Sequence, residues 1–297
     1  MLSWSQFMNC EALSKSKTTI LLHVHKELVS GKLMLPSLPS ICVKIKQIAA
    51  RPESDASSLG KAARVDPAFC GYLLKVSNSP QYRGNVKVTN INLAIGRLGM
   101  ENTCNLARLY AIRSLFKSKK RSMQAWLQRS WEISTHTASV ASVIAENIDT
   151  DVDPEQALLA GLVQDIGCLS LISEASDYPE LINDDQAMEV LFDSHAATLG
   201  AGIVKEWGLG EEFIEVVRNR DNWSYNDSSE VNLVDIVQVA KLHTYLAYKK
   251  ALQLPKLSSV PSFQKVMLNQ HTSPEQSLQF VADAKQRITS IIRNLGG

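Results

Sequence analysis

Residues 153–167 read DPEQALLAGLVQDIG, and this stretch indicates the type of fold because it carries a clear helix start. Asp153 is a favourable N-cap residue, and Pro154 suits the first helical position because its fixed φ matches a helix. The pattern predicts a helix that runs through Leu158, Leu162 and Asp165. The same start signal recurs at Asp66-Pro67, where it predicts a second helix.

Helix signals continue outward in both directions, whereas strand signals are scarce. Ile41, Ile45 and Ile48 form the stripe of a short amphipathic helix, and Thr89 or Asn90 could cap a helix that stops near Gly99. Ser273 with Gln276 is a capping-box start for a last helix that ends near Leu295. The other predicted helices span about 101–116, 123–147, 186–207, 211–219 and 229–250, with a connection at 252–272. The fold class is therefore predicted to be all-α.

Composition excludes several classes of protein. The 297 residues carry 31 Lys+Arg and 30 Asp+Glu, so the net charge of +1 lacks the basic excess of a dedicated nucleic-acid binder. No apolar run reaches the ~18–20 residues that cross a bilayer, and the first thirty residues lack the apolar core of a secretory signal. The five cysteines are widely spaced without a Cys-x-x-Cys pair, so neither a disulfide framework nor a thiolate zinc site is expected. These features predict a reduced, cytoplasmic protein with no membrane contact.

The polar, basic segment Lys117–Ser122 separates two helical blocks. It is either a small surface that contacts anions or a solvated hinge, and its shortness in a neutral chain favours the hinge. We place a domain boundary there, which gives an N-terminal helical subdomain at 1–118 and a second helical subdomain at 119–297.

Several fragments, taken in order, resemble the HDOD domain, a degenerate relative of the HD metal-dependent phosphohydrolases that occurs in bacterial signal transduction. The fragments that carry this resemblance are Leu35–Pro39, Asp66-Pro67, Leu73–Ser79, Val88–Gly99, Trp131–Ser134, Ala160–Gly167, Gly200 and Trp207–Leu209. They cover about 33–247, so residues 1–32 and the extension after about 252 lie outside the resemblance. The resemblance implies an HD-like helical bundle preceded by a helical subdomain.

In the HD enzymes that this family resembles, imidazoles and carboxylates from several helices hold divalent metal. The position of the first histidine is Ile133 here, which cannot bind a metal. His136 lies three residues later, close to the same helix face, and could be a displaced ligand or an ordinary, partly buried histidine. The His-Asp pair corresponds to Gln164-Asp165, in which an amide replaces an imidazole.

The later ligand positions also depart from the enzymes. His195 stands one residue before the expected position, which turns it by about 100° around a helix. A His-His pair is replaced by Arg220-Asp221, and Asp235 lies near, but not at, the position of a terminal aspartate. Cys168 is expected to be a core residue. Only Asp165 is in place, so no metal or other cofactor is expected.

The resemblance and the missing ligands predict a non-catalytic signalling or regulatory module, not an enzyme. It would act through a protein partner, or through a small anionic or nucleotide ligand near Asp165 and Arg220, since Arg220 would repel a cation and could hold an anion. The alternative is a metal-dependent phosphohydrolase acting on a nucleotide or cyclic dinucleotide. That alternative requires His136, His195, Asp165 and Asp235 to converge on a metal.

A third hypothesis is a nucleic-acid-binding regulator. Its basic face would comprise Arg108, Arg113, Lys117, Lys119, Lys120 and Arg121. The neutral overall charge and the lack of interleaved aromatic residues argue against it, and the sequence leaves the oligomeric state open.

Overall fold

The computed structural model describes residues 40–51, 53–80, 82, 84, 86–248, 254–267 and 273–295, together with Lys26 and Pro36. Across these residues the regular structure is helical, and no strand is present. The predicted all-α class is confirmed.

The described residues divide into two compact units. The smaller unit lies within Ser37–Phe116 and Phe280–Gly297, and the larger unit lies within Met1–Pro36 and Lys117–Gln279. The division drawn from the sequence, between 118 and 119, keeps 280–297 with the second part of the chain. In the structure this segment belongs to the smaller unit, because helical segment 285–295 packs against the helix that covers 100–115.

The smaller unit contains six helices among its described residues, apart from the last residues of a helix that covers 274–283. They are α1 (Ser40–Ala49), α2 (Ala56–Ala63), α3 (Pro67–Ser77), α4 (Ile91–Leu98), α5 (Met100–Leu115) and α15 (Lys285–Leu295). The predicted caps form: Asp66 accepts from the Phe69 amide at 3.0 Å, and Asn90 accepts from the Asn92 amide at 2.8 Å. Helix α4 ends at Gly99, whose φ of 83° favours glycine. The sequence thus located these helix ends correctly.

Asn78 fixes the connection that follows α3. Its amide nitrogen donates to the carbonyls of Leu74 and Val88, and its amide oxygen accepts from the Val88 amide, each at 2.8 Å. One side chain therefore ties the end of a helix to backbone ten residues later. This explains the place of Asn78 in the fragment Leu73–Ser79.

The larger unit comprises the remaining elements. They are α6 (Arg121–Asn147), α7 (Pro154–Val163), α8 (Gly167–Ala175), α9 (Pro179–Ile182), α10 (Asp185–Glu206), α11 (Glu211–Arg218), α12 (Leu233–Ala247), a 3₁₀ turn (Leu257–Ser259), α13 (Pro261–Val266) and α14 (Pro274–Asp283), whose last residues belong to the smaller unit. Helix α6 packs against α7 and α12, and α10 packs against α8 and α11. Helix α10 ends at the Trp207-Gly208 step, and the Trp207 indole donates to the Pro36 carbonyl at 2.9 Å.

Two glycines permit the close helix contacts of this unit. A Cβ added to Gly161 would lie 2.5 Å from the Ala138 Cα, so α7 crosses α6 at a distance that only glycine allows. A Cβ added to Gly167 would overlap the Ala196 carbonyl oxygen of α10. Both glycines lie in the stretch 153–167, and together they place the short turn between α7 and α8.

Two helix boundaries differ from the sequence-based expectation. The helix predicted to continue through Asp165 ends at Val163, and Gln164–Ile166 form a turn before α8. The helix predicted from Ser229 begins at Leu233, because Asn232 and Asp235 form a reciprocal capping box. Gln164 and Asp165 therefore lie in a turn and not in a helix, and Asn232 precedes α12 as its N-cap residue.

The end of the chain also differs. The segment predicted as a connection at 252–272 contains the 3₁₀ turn and α13, and the predicted last helix is divided into α14 and α15 near Ala284. Backbone bonds at 3.0 Å, from the Ala284 amide to Phe280 and from the Ile288 amide to Ala284, continue across the division. The Ser273–Gln276 capping box is confirmed, with contacts of 2.8 and 3.2 Å.

Helices α7 and α8 together form a long apolar segment of the described chain. Residues 154–175 are long and apolar enough to pass a composition test for a membrane span, but 83% of the tested window is buried inside the protein. Such burial is what the core of a helical bundle shows, so this segment is weak evidence for a membrane span.

Candidate functional site: a buried charge cluster beside a cleft

Asp165 lies in the turn between α7 and α8, and three other charged residues surround it. Arg220 and Asp221 follow the end of α11, and Lys241 lies on α12. Asp165 and Arg220 are each 8% exposed, and Lys241 is fully buried. We call Asp165, Arg220, Asp221 and Lys241 the charge cluster.

Every charge in the cluster has an opposite partner. Arg220 Nε lies 2.5 Å from Asp165 Oδ1, and Arg220 Nη1 lies 2.6 Å from Asp221 Oδ2. Lys241 Nζ lies 3.1 Å from Asp165 Oδ1, 2.8 Å from Asp221 Oδ1 and 3.0 Å from the Arg220 carbonyl oxygen, which uses its three donors. The cluster holds two positive and two negative groups and is neutral.

The cluster keeps its groups ionised despite burial. Burial alone would raise the pKa of Asp165, but the charges of Arg220 and Lys241 outweigh it and hold this pKa well below the ordinary value. The same two cations outweigh burial at Asp221 and lower its pKa. Burial would lower the pKa of Arg220, but Asp165 and Asp221 hold it well above the ordinary value. The cluster is therefore a set of ion pairs at neutral pH.

Helix α12 also holds the segment that carries Arg220 and Asp221. Gln238 Nε2 donates to the carbonyls of Asn219 at 2.8 Å and Asn222 at 2.9 Å, on either side of the two charged residues. The Ser262 hydroxyl of α13 donates to Gln238 Oε1 at 2.8 Å and fixes the orientation of this amide. Gln238 and Lys241 are one helical turn apart, so one face of α12 positions the loop and neutralises the cluster.

The residues at this position do not fit a divalent metal. Asp165 Oδ1 already accepts from Arg220 and Lys241, and Oδ2 accepts from Gln164 Nε2 at 2.7 Å. Two fixed cations within ion-pair distance would repel a third. Among the described residues, no group of three or more His, Cys, Asp or Glu side chains is arranged to hold a metal.

The further ligands that the hydrolase alternative requires, which are His136, His195 and Asp235, do not form a metal-binding group with Asp165. His136 Nδ1 lies 3.1 Å from the Thr244 hydroxyl, its ring meets Tyr248 edge-on, and burial lowers its pKa. Asp235 is fully buried and pairs with Lys265 at 2.8 Å. His195 is buried on α10. The convergence of His136, His195, Asp165 and Asp235 that the hydrolase alternative requires is not found in the described part of the chain.

A cleft opens beside the charge cluster within the larger unit. Its cavity volume is about 30 Å³, enough for about two water molecules, and it is partly open to solvent. Its apolar lining comprises Trp126, Ile133, Cys168, Phe192 and Tyr245. Its polar lining comprises Arg129, Ser130, Asp165, Glu189 and Arg220. Ile133 therefore faces the same space as Asp165, although it cannot bind a metal.

Cys168 lines this cleft with a neutral thiol group. Burial raises the pKa of its thiol to about 12, so the thiolate that a nucleophile requires is not populated at neutral pH. The expectation that Cys168 is a core residue agrees with its 4% exposure.

The sequence-based reasoning did not identify Lys241 or Gln238 as site residues. The available signal was a lysine and a glutamine inside the otherwise apolar stretch 236–242, since fully buried lysines almost always have a partner. Gln164, Asp165, Arg220 and Asp221 were identified, and the structure brings these four together.

The fold and the site define an all-α protein with an HD-like larger unit. In that unit, Asp165 belongs to a buried cluster of ion pairs. The family model for the HDOD domain matches residues 35–223, which is more than half of the chain. The chain belongs to the HDOD domain family.

Solved structures with low sequence identity share the fold. A protein from Shewanella amazonensis SB2B, titled "putative metal-dependent phosphohydrolase", is 23% identical with a TM-score of 0.74, over 95% of this chain and 100% of that one. An HDOD domain protein of unknown function from Geobacter sulfurreducens is 21% identical with a TM-score of 0.62, over 95% and 97%. A "putative signal transduction protein" from Marinobacter aquaeolei VT8 is 17% identical with a TM-score of 0.63, over 98% and 68%.

A curated relative is also similar. An uncharacterized protein from Treponema pallidum (strain Nichols) is 24% identical over 223 residues, which is 70% of this chain. The chain spans 42% of the length of that relative.

Proposed function

We propose that this protein is a non-catalytic regulatory module that acts by binding a protein partner or a small anionic ligand, and not by hydrolysis. The observation that carries the proposal is the occupation of the Asp165 carboxylate by Arg220 and Lys241. An HD-type hydrolase needs that carboxylate to hold a metal that activates water. Here the same oxygen atoms neutralise two buried cations.

The family supports the regulatory half of the proposal, since the HDOD domain is a relative of hydrolases that occurs in signalling proteins. The positions expected to supply imidazoles carry Ile133, Gln164 and Arg220. None of these side chains can replace a histidine ligand toward a transition metal. We therefore propose no resident metal, and a cytoplasmic location remains the expectation from composition.

Nucleic acid is not proposed as the partner. Within the basic segment, Lys120 pairs with Asp177 at 2.5 Å and donates to the Ser176 hydroxyl at 2.8 Å. A lysine held by an acidic neighbour contributes less to binding phosphates than a free one. The near-neutral net charge points the same way.

The test uses the full chain, purified without added metal. Elemental analysis would measure bound Mn, Fe, Zn and Mg, and phosphodiesterase assays with added Mn²⁺ or Mg²⁺ would use a chromogenic diester and a cyclic dinucleotide. We expect far less than one metal per chain and no turnover above a buffer blank. Stoichiometric metal, together with turnover that disappears in a folded Asp165→Asn variant, would show that the protein is a hydrolase.

A further inference from the structure

The two units carry opposite net charges, which the near-zero total conceals. Residues 37–116 and 280–297, which form the smaller unit, hold 14 Lys+Arg and 5 Asp+Glu, a net charge of +9 with neutral histidines. The rest of the chain holds 17 Lys+Arg and 25 Asp+Glu, a net charge of −8. Such asymmetry within one chain indicates that a part of it meets a charged partner. For the smaller unit that partner is acidic.

The three most exposed large apolar side chains of the described residues belong to this basic unit. Val86 is 73% exposed, Val65 67% and Leu93 63%, whereas the other exposed large apolar side chains among those residues are 41–45% exposed. Single exposed apolar side chains are ordinary, but a group of them marks an interaction surface. Their positions relative to one another therefore decide what they mean.

Val65 and Leu93 are connected through one hydrogen bond. Arg64, which precedes Val65, donates from Nη2 to Asn92 Oδ1 at 3.0 Å, and Asn92 precedes Leu93 on α4. The turn between α2 and α3 is thereby held against the start of α4. The two apolar side chains lie on either side of this bond.

Val86 is connected to the same helix by a second arginine. Arg97 lies one turn after Leu93 on the same face of α4, and its Nη2 donates to the Val86 carbonyl at 2.7 Å. The three apolar residues are thus joined through α4 and its two arginines into one region of the smaller unit. We call this region the α4 surface; it comprises Arg64, Val65, Val86, Lys87, Leu93 and Arg97.

The cations of the α4 surface keep a positive excess. The hydrogen bonds of Arg64 and Arg97 go to neutral amide and carbonyl oxygen atoms. Within the described residues, no carboxylate forms an ion pair with these arginines or with the exposed Lys87. Asp66, which is adjacent in sequence to this surface, caps α3 and accepts from the Tyr110 hydroxyl at 3.2 Å. Three cations therefore face one carboxylate that is already engaged.

We propose that the α4 surface binds an acidic amphipathic helix of a protein partner. This inference rests on the proposed regulatory function and names the class of partner. Leucines at positions i, i+3, i+4 and i+7 of such a helix would cover Val65, Val86 and Leu93, as in other complexes that place a helix on an apolar surface. The carboxylates of the helix would pair with the surrounding arginines and Lys87, which selects an acidic sequence over a basic one.

Two other anionic partners fit this surface less well. Single-stranded nucleic acids bind by stacking their bases on aromatic rings, and the exposed large apolar side chains here are aliphatic. Membrane surfaces take up the continuous apolar face of an amphipathic helix, whereas Val65 and Val86 lie in connections between helices. Aliphatic side chains among unpaired cations match an acidic helix.

The experiment is a fluorescence anisotropy titration of the full chain with a labelled helical peptide of about 18 residues. The peptide carries leucines on one face and glutamates on the other. One control peptide has lysine for every glutamate, and a second has serine for every leucine. At about 0.15 M salt we expect Kd below about 100 µM for the acidic amphipathic peptide. Both controls should bind at least about tenfold more weakly.

Two variants locate the site. Leu93→Ser removes an exposed apolar contact and Lys87→Glu reverses an exposed charge, and each should weaken binding by about threefold to tenfold. The matched controls Leu278→Ser and Lys205→Glu make the same changes at exposed residues of the larger unit and should bind as the wild type does. Circular dichroism should give the same helix content for all four variants, since each side chain is exposed.

Equal binding of the acidic and basic peptides would overturn the inference, and so would wild-type affinity in both Leu93→Ser and Lys87→Glu. Failure of the acidic peptide to bind would also overturn it. Tighter binding of a single-stranded oligonucleotide or of anionic vesicles than of the peptide would assign the surface to that partner instead. If these failures occur in a protein without metal or turnover, the proposed function stands. Turnover with bound metal would overturn the proposed function itself.

Discussion

Lys241 Nζ lies 3.1 Å from Asp165 Oδ1. A fully buried lysine thus forms an ion pair with the aspartate at the position where HD enzymes hold a metal. The two residues are 76 positions apart in sequence and meet because α12 packs against α7. Burial of a charge is costly unless the charge is paired, and here Asp165, Asp221 and the Arg220 carbonyl together satisfy the ammonium group. Lys241 and Arg220 together balance the charge of the Asp165 carboxylate.

Removal of one charge from the cluster should destabilise the protein strongly. Lys241→Met leaves two carboxylates against one guanidinium in a buried site, and breaking a buried pair in this way costs about 3–5 kcal/mol. Denaturant unfolding followed by circular dichroism would measure the loss. The exposed control Arg218→Met should change the free energy of unfolding by no more than about 1 kcal/mol.

The double variant Lys241→Met/Asp221→Asn separates charge balance from packing. It restores neutrality, so its loss of stability should be smaller than the sum of the two single losses, by about 0.5–3 kcal/mol. Additive losses would show that the cluster is held by packing and not by its charges.

Replacement of the missing imidazoles should not restore a metal site. The double variant Ile133→His/Gln164→His returns two ligand types to the expected positions, but Arg220 and Lys241 still neutralise Asp165 and repel a divalent cation. We expect elemental analysis of the purified variant to show less than about 0.1 metal per chain, since a site without a free carboxylate binds weakly. One tightly bound Mn²⁺ or Zn²⁺ per chain would mean that the lost histidines alone explain the lost metal.

His243 should give the protein a pH-dependent stability between neutral and mildly acidic pH. Burial, with a smaller contribution from the nearby charge of His136, lowers the pKa of His243 from 6.5 to about 4. Its Nε2 lies 2.7 Å from the Ser277 hydroxyl, and its Nδ1 has no hydrogen-bond partner in the described part of the chain, so a proton added there would be unsatisfied. Folding therefore favours the neutral ring.

Because the folded pKa of His243 lies below the unfolded value, its contribution is complete above pH 6.5 and is lost as pH falls toward 4. The lost free energy of unfolding is about 3 kcal/mol for this shift. His243→Gln keeps a hydrogen-bonding group for Ser277 and should remove this part of the pH dependence, measured by denaturant unfolding at several pH values. Asp165 and Asp221 have lowered pKa values, so they titrate below 3.8 and do not produce the change of stability between pH 6.5 and 4. Equal slopes in the variant and the wild type would contradict the assignment.

Two glycine substitutions should change stability in opposite directions. Gly161→Ala places a Cβ 2.5 Å from the Ala138 Cα, and such overpacking costs about 1–3 kcal/mol. Gly71 lies inside α3 with nothing within 4 Å of an added Cβ, so Gly71→Ala should stabilise that helix by about 0.5–1 kcal/mol. Thermal unfolding of both variants beside the wild type would measure the signs, and a stabilising Gly161→Ala would refute the close crossing of α6 and α7.

The helices and many of their ends could be predicted because local groups determine them. Asp66, Asn90 and Asp153 each satisfy amides within three residues, and Pro67 and Pro154 fix the first turn. Helix α3 and the start of α7 follow from these interactions without any tertiary contact. The order of the motifs likewise identified the family from the sequence.

One of the helix ends that differed from expectation, the end of α7, lies beside a tertiary contact. Helix α7 ends at Val163, and four residues later the backbone of Gly167 passes against the Ala196 carbonyl of α10, a contact that no pattern near residue 163 indicates. The sequence could show that Gly167 is small, but not what it packs against.

The sequence by itself determined the all-α class, the HDOD family and the loss of the imidazole ligands, because these depend on residue types and short-range spacing. Only the tertiary structure decided which groups surround Asp165. Lys241 and Gln238 reach Asp165 and the Arg220 segment from a helix that is distant in sequence. A buried lysine is stable only where opposite charges meet it in space. That pairing follows from the packing of α12 and α7, and not from any local pattern.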